Sequence, residues 1–343
     1  MWRPRTIIIF DNVYDTIYNV HTLYQDVLTD YDKAYQDALK HFDHIWTLLR
    51  RPIAADSLSI ARHIDPITPV AHMEKQDYMQ SVSTAIDYIY AGDAFQIVPS
   101  QRFHIDYTKD PFAFYRILRR VNPSPYMFYA ECDDFILAGA SPEILVRTED
   151  RKVTIRPIAG TRPRGKNTQE DNELEQDLLN DPKECAEHLM LLDLGRNDVG
   201  RVSKIGSVDV TEEFIIERYS HVMHIVSNVE GILKEDYDFL DAIFTALPAG
   251  TVSGAPKIRA MEIINELEPE KRSFYAGGIG YFSGNGDGDF ALMLRTGLIK
   301  DQKLYIQAGA GVVADSVPEK EYTETVNKAG ALIKAAAIAL SQI

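Results

Sequence analysis

The apolar positions of this chain change period repeatedly, and each change marks an element. Ile7 to Phe10 is a short apolar run that reads as a strand. Tyr31, Tyr35, Leu39, Phe42, Trp46 and Leu49 then recur at spacings of three and four, which predicts a helix from about Thr29 to Leu49. Residues 51–72 carry Pro52, Pro66 and Pro69 and read as a linker. Tyr78, Val82, Ala85 and Ile89 mark a second helix, from Glu74 to a stop at Gly92. A strand over 94–106 follows, with Pro99 as a bulge or edge position. Asp110-Pro111 caps a helix to about Arg120. Strands are expected at 126–131, 134–138, 143–148 and 152–157. Asp181-Pro182 opens a helix to about Gly195, and strands at 207–216 and 223–230 lead to helices at 236–247 and 256–267. Strands at 276–283, 289–299 and 303–310 precede a long helix from Pro318 to the C-terminus. Gly284 to Gly288 reads as a hairpin tip, and no helix follows it, so it is not a phosphate loop. Strands that come in runs, with few helices between, predict an α+β fold with antiparallel pairing.

Two helices in this pattern carry acids three residues apart: Glu184 with Glu187, and Glu321 with Glu324. That spacing puts each pair on one helix face. Two solvated faces, with partners such as Lys328, would account for them. Facing one another, they would make a four-carboxylate cluster that needs a cation, and oxygen donors favour magnesium.

Composition narrows the choice. The 343 residues carry a formal charge of −15, which argues against nucleic acid and anionic membranes as partners. Two cysteines, Cys132 and Cys185, make no disulfide framework and fit a reducing cytoplasm. Cys185 reads as a packing residue. No stretch approaches the ~18 apolar residues of a membrane-spanning helix.

Other candidate chemistry lies in the loops. Ile158 to Gly165 follows a strand and combines Gly160, Thr161, Arg162 and Arg164, which an ordinary basic loop would also explain. Leu247 to Lys257 is a Gly-Ser-Thr loop entering a helix, where an anion could bind or Ser253 could simply cap. Arg295, expected opposite Leu292 and Leu294 on an alternating strand, needs a carboxylate partner. Gln307 to Gly311 should leave backbone N–H groups open to a ligand carboxylate. His224 alone reads as a core histidine. Together these describe a site for a small polycarboxylate with magnesium-assisted acid–base chemistry.

At these same loops the sequence resembles the chorismate-utilising enzymes, most closely the anthranilate synthase component I branch. The likeness runs from about Lys75 to Leu340 and rests on Pro157–Gly165, Asp193–Asp198, Ala249–Lys257, Gln307–Gly311 and the later Glu321 and Glu324. It implies two antiparallel sheets flanked by helices, with chorismate and magnesium bound in a cleft between them. By motif, Glu187 and Glu324 look like magnesium ligands, and Glu184 and Glu321 like outer or water-bridged carboxylates. Glu184 also resembles the family's general acid, Thr251 a residue lining the reacting ring, and His224 a residue for pyruvate loss. Arg295 with Gly309, Ala310 and Gly311 is similar to a carboxylate cradle, and Gly160, Thr161, Tyr275 and Lys328 to further substrate contacts.

Two positions separate the branches. Aminodeoxychorismate synthases carry a capturing Lys in place of Ala159, and isochorismate and salicylate synthases a Lys base in place of Gln96. Both residues point to ammonia as nucleophile and to anthranilate and pyruvate as products. No glycine-rich elbow carries a nucleophilic cysteine, so the resemblance implies a separate glutamine amidotransferase subunit in a hetero-oligomer. Residues 1–60 look like the remnant of an N-terminal domain, and 61–343 like the catalytic domain. Of the family's tryptophan effector site only Pro125, Tyr126 and Met127 appear. Asp287 to Phe290 departs from the usual Met-Asp pair, and Val317 replaces an acidic residue. An aminodeoxyisochorismate synthase, an aminodeoxychorismate synthase or an inactive partner-binding subunit are the alternatives.

Overall fold

The structure, a computed structural model, describes residues 1–25, 30–52, 64, 66–219 and 222–341, and the chain divides into two compact units, Met1–Leu58 and Ser59–Ile343. Most of the expected linker, and Thr29, lie outside the described residues.

The first unit holds a hairpin of β1 (Thr6–Asp11) and β2 (Thr16–His21), then α1 (Tyr31–Leu49), whose first turn is capped by the Asp30 side chain accepting from Lys33 N. The expected apolar face of α1 is largely not buried: Tyr31, Tyr35, Leu39 and Leu49 are exposed, and Ala38 is the buried residue of the helix. Two strands and one helix lack the area to cover such a face.

The second unit begins with β3 (Val70–Ala71), α2 (Lys75–Tyr90), β4 (Gln96–Ile97), β5 (Ser100–Asp106), α3 (Pro111–Val121), β6 (Tyr126–Glu131) and β7 (Ile136–Ser141). It continues with β8 (Ile144–Glu149), β9 (Lys152–Ile155), β10 (Ile158–Pro163), α4 (Thr168–Leu179), α5 (Pro182–Val202), β11 (Asp209–Arg218) and β12 (Val222–Ile232). Last come α6 (Phe239–Ala246), α7 (Gly250–Ser253), β13 (Gly254–Ala255), α8 (Lys257–Leu267), β14 (Gly278–Phe282), β15 (Gly288–Leu292), β16 (Thr296–Lys300), β17 (Lys303–Gly309) and α9 (Pro318–Leu340).

All pairing among the described residues is antiparallel, so the α+β expectation holds. One large sheet runs β3-β5-β17-β16-β7-β6, the other runs β10-β12-β9-β8-β15-β14 with β11 also on β12, and β4 and β13 form a separate pair. Each sheet has its own core. Phe103, Phe114, Leu118, Leu304 and Leu332 join the first sheet to α3 and α9. Leu145, Val146, Leu192, Val229 and Leu292 join the second to α5 and α6. Among the described residues no helix is long and apolar enough to cross a membrane.

The chain crosses between the sheets at two neighbouring points. One is Pro142–Glu143, between β7 and β8; the other is Met293–Arg295, between β15 and β16. They are laced together: Ser141 Oγ donates to Leu292 O at 2.6 Å, Leu292 N to Glu143 O at 3.0 Å, and Ala140 N to Arg295 O at 3.1 Å. The expected single strand over 289–299 is therefore broken, with Arg295 at φ +45° in the break. Likewise 94–106 is two strands parted near Pro99, and 158–163, expected as loop, is the edge strand β10. The helix α5 does not stop at Gly195 but continues to Val202, because Leu191, Leu192, Val199 and Val202 bury one face of it. The elements β2 and α4 went unforeseen; α4 is polar nearly throughout and offers little apolar periodicity.

Candidate functional site

The helix α5 is started by Asp181, whose carboxylate accepts from Lys183 N and Glu184 N, and this places Glu184 in the first turn. Arg162 on β10 reaches the same turn, donating to Asp181 at 2.8 Å and to Glu184 Oε1 at 3.3 Å. Glu187, one turn on, accepts from the Nε2 of buried Gln96 at 2.9 Å. Burial pushes Glu187 above the ordinary carboxylate range; the Gln96 hydrogen bond opposes this, and the charges of Glu184 and Glu324 add to it. On α9, burial raises Glu321 too, with a Ser316 hydrogen bond opposing and the Glu324 charge adding. Glu324 pairs with Lys328 at 2.7 Å, and Lys328 Nζ also donates to Gly309 O at 3.0 Å. The two acid pairs, remote in sequence, thus act on each other across α5 and α9. They do not close on a single point: among the described residues no three acid, histidine or cysteine side chains stand in metal-holding geometry.

The crossing points supply the next group. Glu143 is buried, and its Oε1 accepts from the Thr251 hydroxyl at 2.8 Å. Burial pushes its carboxyl up to about 7, against the Thr251 hydrogen bond and the Lys328 charge. Thr251 is held in place from behind: Lys257, at the start of α8, bonds both carboxylate oxygens of Asp198 on α5 at 2.9 and 2.8 Å. Arg272 donates to Val252 O and Val98 O at 2.6 Å each, tying the Thr251 segment to the Gln96 segment. Arg295 is partly buried, burial alone depresses its guanidinium, and no carboxylate acts on it among the described residues. A guanidinium placed so is ready for an anionic group.

Gly309 lies against the Tyr275 hydroxyl and Pro99 O; a Cβ there would approach each to 2.9 Å, so only glycine fits. Burial pushes the Tyr275 hydroxyl up to about 12. The expectation of open backbone donors fails at Ala310, whose N–H already donates to Pro99 O at 3.2 Å. Gly311 sits beside the Gln96 amide, close to Glu187.

His224 on β12 faces Thr161 on β10. Its Nδ1 lies 3.0 Å from Gly160 O and 3.1 Å from Thr161 Oγ1. A carbonyl only accepts, so Nδ1 carries the hydrogen and Nε2 is the basic nitrogen. Burial lowers the ring's pKa, so it is neutral near pH 7. Gly160 takes φ +65°, and a side chain there would press on Glu184. Tyr126 engages a different group, donating to Asp289 Oδ1 at 3.0 Å, while Arg147 bonds Asp289 Oδ2 at 2.8 Å. Cys185 Sγ donates to Leu179 O and is half-buried, as a packing residue would be.

Glu143 is not legible in the sequence: a lone acid after Ser141-Pro142 looks like turn chemistry, and its burial reveals otherwise. Nor does any local pattern show that the Gln96 amide holds Glu187. An open surface concavity along Thr168, Gln169 and Glu173 contains none of these residues, whereas a cavity of about 30 Å³ lies beside Glu143 and Thr251.

Comparison with known proteins agrees on a single family. The family described as chorismate binding enzyme matches residues 1–334. Among similar chains, Anthranilate synthase component 1 of Cereibacter sphaeroides is 54% identical over 337 residues, covering 98% of this chain and 67% of that one. Anthranilate synthase component 1 of Pseudomonas aeruginosa is 51% identical over 338 residues, covering 97% and 67%. The crystal structure of anthranilate synthase component I from Streptococcus pneumoniae TIGR4 superposes with a TM-score of 0.87 at 42% identity, covering 96% of this chain and 72% of that one. The chain therefore spans about two thirds of the length of these curated relatives.

Proposed function

The chain belongs to the chorismate binding enzyme family, and from that premise we propose that it is an anthranilate synthase, a lyase taking chorismate and ammonia to anthranilate, pyruvate and water. The observation that carries this branch is the neutral, buried pair Gln96 and Ala159. Gln96 cannot deprotonate water, and Ala159 offers no nucleophile for covalent capture of the ring. Ammonia needs neither.

Arg295 holds one carboxylate of the substrate, beside the small residues Gly309, Ala310 and Gly311, with the Tyr275 hydroxyl behind. Lys328, already bound to Glu324 and to Gly309 O, joins the acid cluster to this cradle. Glu184 stands at the first turn of α5 and donates the proton on which the ring hydroxyl leaves as water. His224 keeps its proton on Nδ1 and accepts one at Nε2 as pyruvate is eliminated. Thr251, fixed by Glu143, orients the ring.

The donor set fits magnesium in its chemistry: the acids of α5 and α9 act on one another without closing on one point, and burial first, then mutual repulsion, raises Glu187 and Glu321. Glu187 and Glu324 would hold the ion, with Glu184 and Glu321 nearby. A bound Mg²⁺ would supply positive charge to the substrate carboxylate and the departing oxygen. We assign the ammonia to a glutamine amidotransferase partner, a reading supported by the component 1 names of the relatives. The pathway is tryptophan biosynthesis in the cytoplasm.

Purified chain with chorismate, an ammonium salt and Mg²⁺ should give anthranilate, identified by mass and fluorescence. A non-aromatic amino product would instead mark an aminodeoxyisochorismate or aminodeoxychorismate synthase. Folded protein that makes no product would mark a partner-binding subunit. Glu324→Gln should abolish turnover while circular dichroism stays unchanged; retained turnover would remove Glu324 from the metal set.

A further inference from the structure

The helix α9 carries half of the acid cluster. Its fully buried stripe is mostly small, Ala329, Ala335, Ala336, Ala337 and Ala339 with Leu332, while Val326, Ile333, Ile338 and Leu340 pack at its edges. One fully buried contact of the helix is polar. Thr325, next to Glu324, is 0% exposed, and Gln101 on β5 is 2% exposed. Gln101 Nε2 donates to Thr325 Oγ1 at 2.6 Å, and the Thr325 hydroxyl donates on to Tyr322 O at 2.7 Å. The chain of donors ends on the turn that holds Glu321 and Glu324. On the sheet side, Gln101 stands opposite Ala308 in β17, one residue before Gly309.

We propose that the Gln101–Thr325 hydrogen bond sets the register of α9, and so aims Glu321 and Glu324 at the acids of α5. A buried directional bond is suited to this, because it is satisfied at one rotation and one height of the helix, and its loss strands a polar group in an apolar core. The amide's Oε1 is buried and accepts no hydrogen bond among the described residues. Gln101 and Thr325 are positioning residues that act through the acids of α9. The metal part of this inference rests on the reading of the acids given above.

Three variants separate aim from mere stability. Thr325→Ser keeps the hydroxyl and, apart from a small loss of melting temperature for its buried methyl, should match the unaltered protein in Mg²⁺ affinity and exchange. Thr325→Val strands Gln101 and should lower both the melting temperature and the affinity for Mg²⁺. Gln101→Leu with Thr325→Val removes both partners, which should restore melting close to the unaltered value. Mg²⁺ affinity by calorimetry should nevertheless remain about tenfold weaker in this double variant, the usual effect of losing a residue that orients a ligand. Amide exchange of metal-free protein should also stay faster across residues 318–326 in the double variant. Normal exchange there would overturn the proposal, whatever the metal does. Normal exchange and normal Mg²⁺ affinity together would reduce the pair to packing. If the unaltered protein binds no Mg²⁺ but exchange rises in the double variant, the register role stands and the metal reading falls.

Discussion

Glu143 is a carboxyl with two uses for its surroundings. Its burial holds the proton to about pH 7, and the Thr251 hydroxyl donates to whatever oxygen is free. The ionised form fixes Thr251 best, so kcat/KM should fall as pH drops below about 7. Glu143→Gln should lose that limb and run roughly 10-fold slower, on the scale of a lost partner that orients a site residue; a pH–rate profile that keeps its limb would exclude Glu143. His188 shows the opposite sense of shift. It is fully buried, bonds Ser227 Oγ at 2.7 Å, and burial lowers its pKa from 6.5 to about 4. Between those values the unfolded chain takes a proton that the native ring refuses. Its contribution to stability is therefore complete above pH 6.5 and is lost as pH falls towards 4, at up to about 1.4 kcal/mol per pH unit. Denaturant titrations of His188→Gln should show a flatter slope in that window; an unchanged slope would mean another group carries it. At this scale sequence legibility was uneven. Residues in long loops beside glycine, such as Thr251 and Thr161, stood out, whereas Glu143 and His188 draw their character from burial, which no local pattern records.

Elements were easiest to read where one face repeats. The helices α2, α3 and α9 have buried stripes and were placed to within a few residues, whereas α4 is polar and was missed. Strands were misjudged where tertiary demand breaks them. The run from Phe290 to Ile299 is apolar enough for one strand, but its two halves serve different sheets, and Arg295 takes a left-handed conformation at the join. A further consequence concerns the start of α9. Val317 occupies the N-cap, and its side chain accepts no hydrogen bond from the first turn, where a serine hydroxyl would. Val317→Ser should therefore stabilise the protein by about 1 kcal/mol, visible as a higher melting temperature. No rise would mean that the exposed valine contributes as much by its remaining contacts as a cap would.

The second unit has two large sheet-and-helix cores joined along a seam, and the proposed ligands touch both. Arg295, Glu143 and the Gly309 region belong to the seam, while α5 and α9 each belong to one core. A bound ligand should thus stabilise both cores as one cooperative body, by about 2.7 kcal/mol at a hundred times its Kd. Calorimetry with Mg²⁺ and a chorismate analogue should show a single transition moving upward; two transitions, only one of which moves, would place the ligand on one core alone.

The paired crossings at Pro142–Glu143 and Met293–Arg295 also decide which parts can travel. Any rocking of one sheet over the other must pivot where the backbone passes between them, and displacement is least at the pivot. Glu143 and Arg295, at the two crossings, would then lie on the axis and move least.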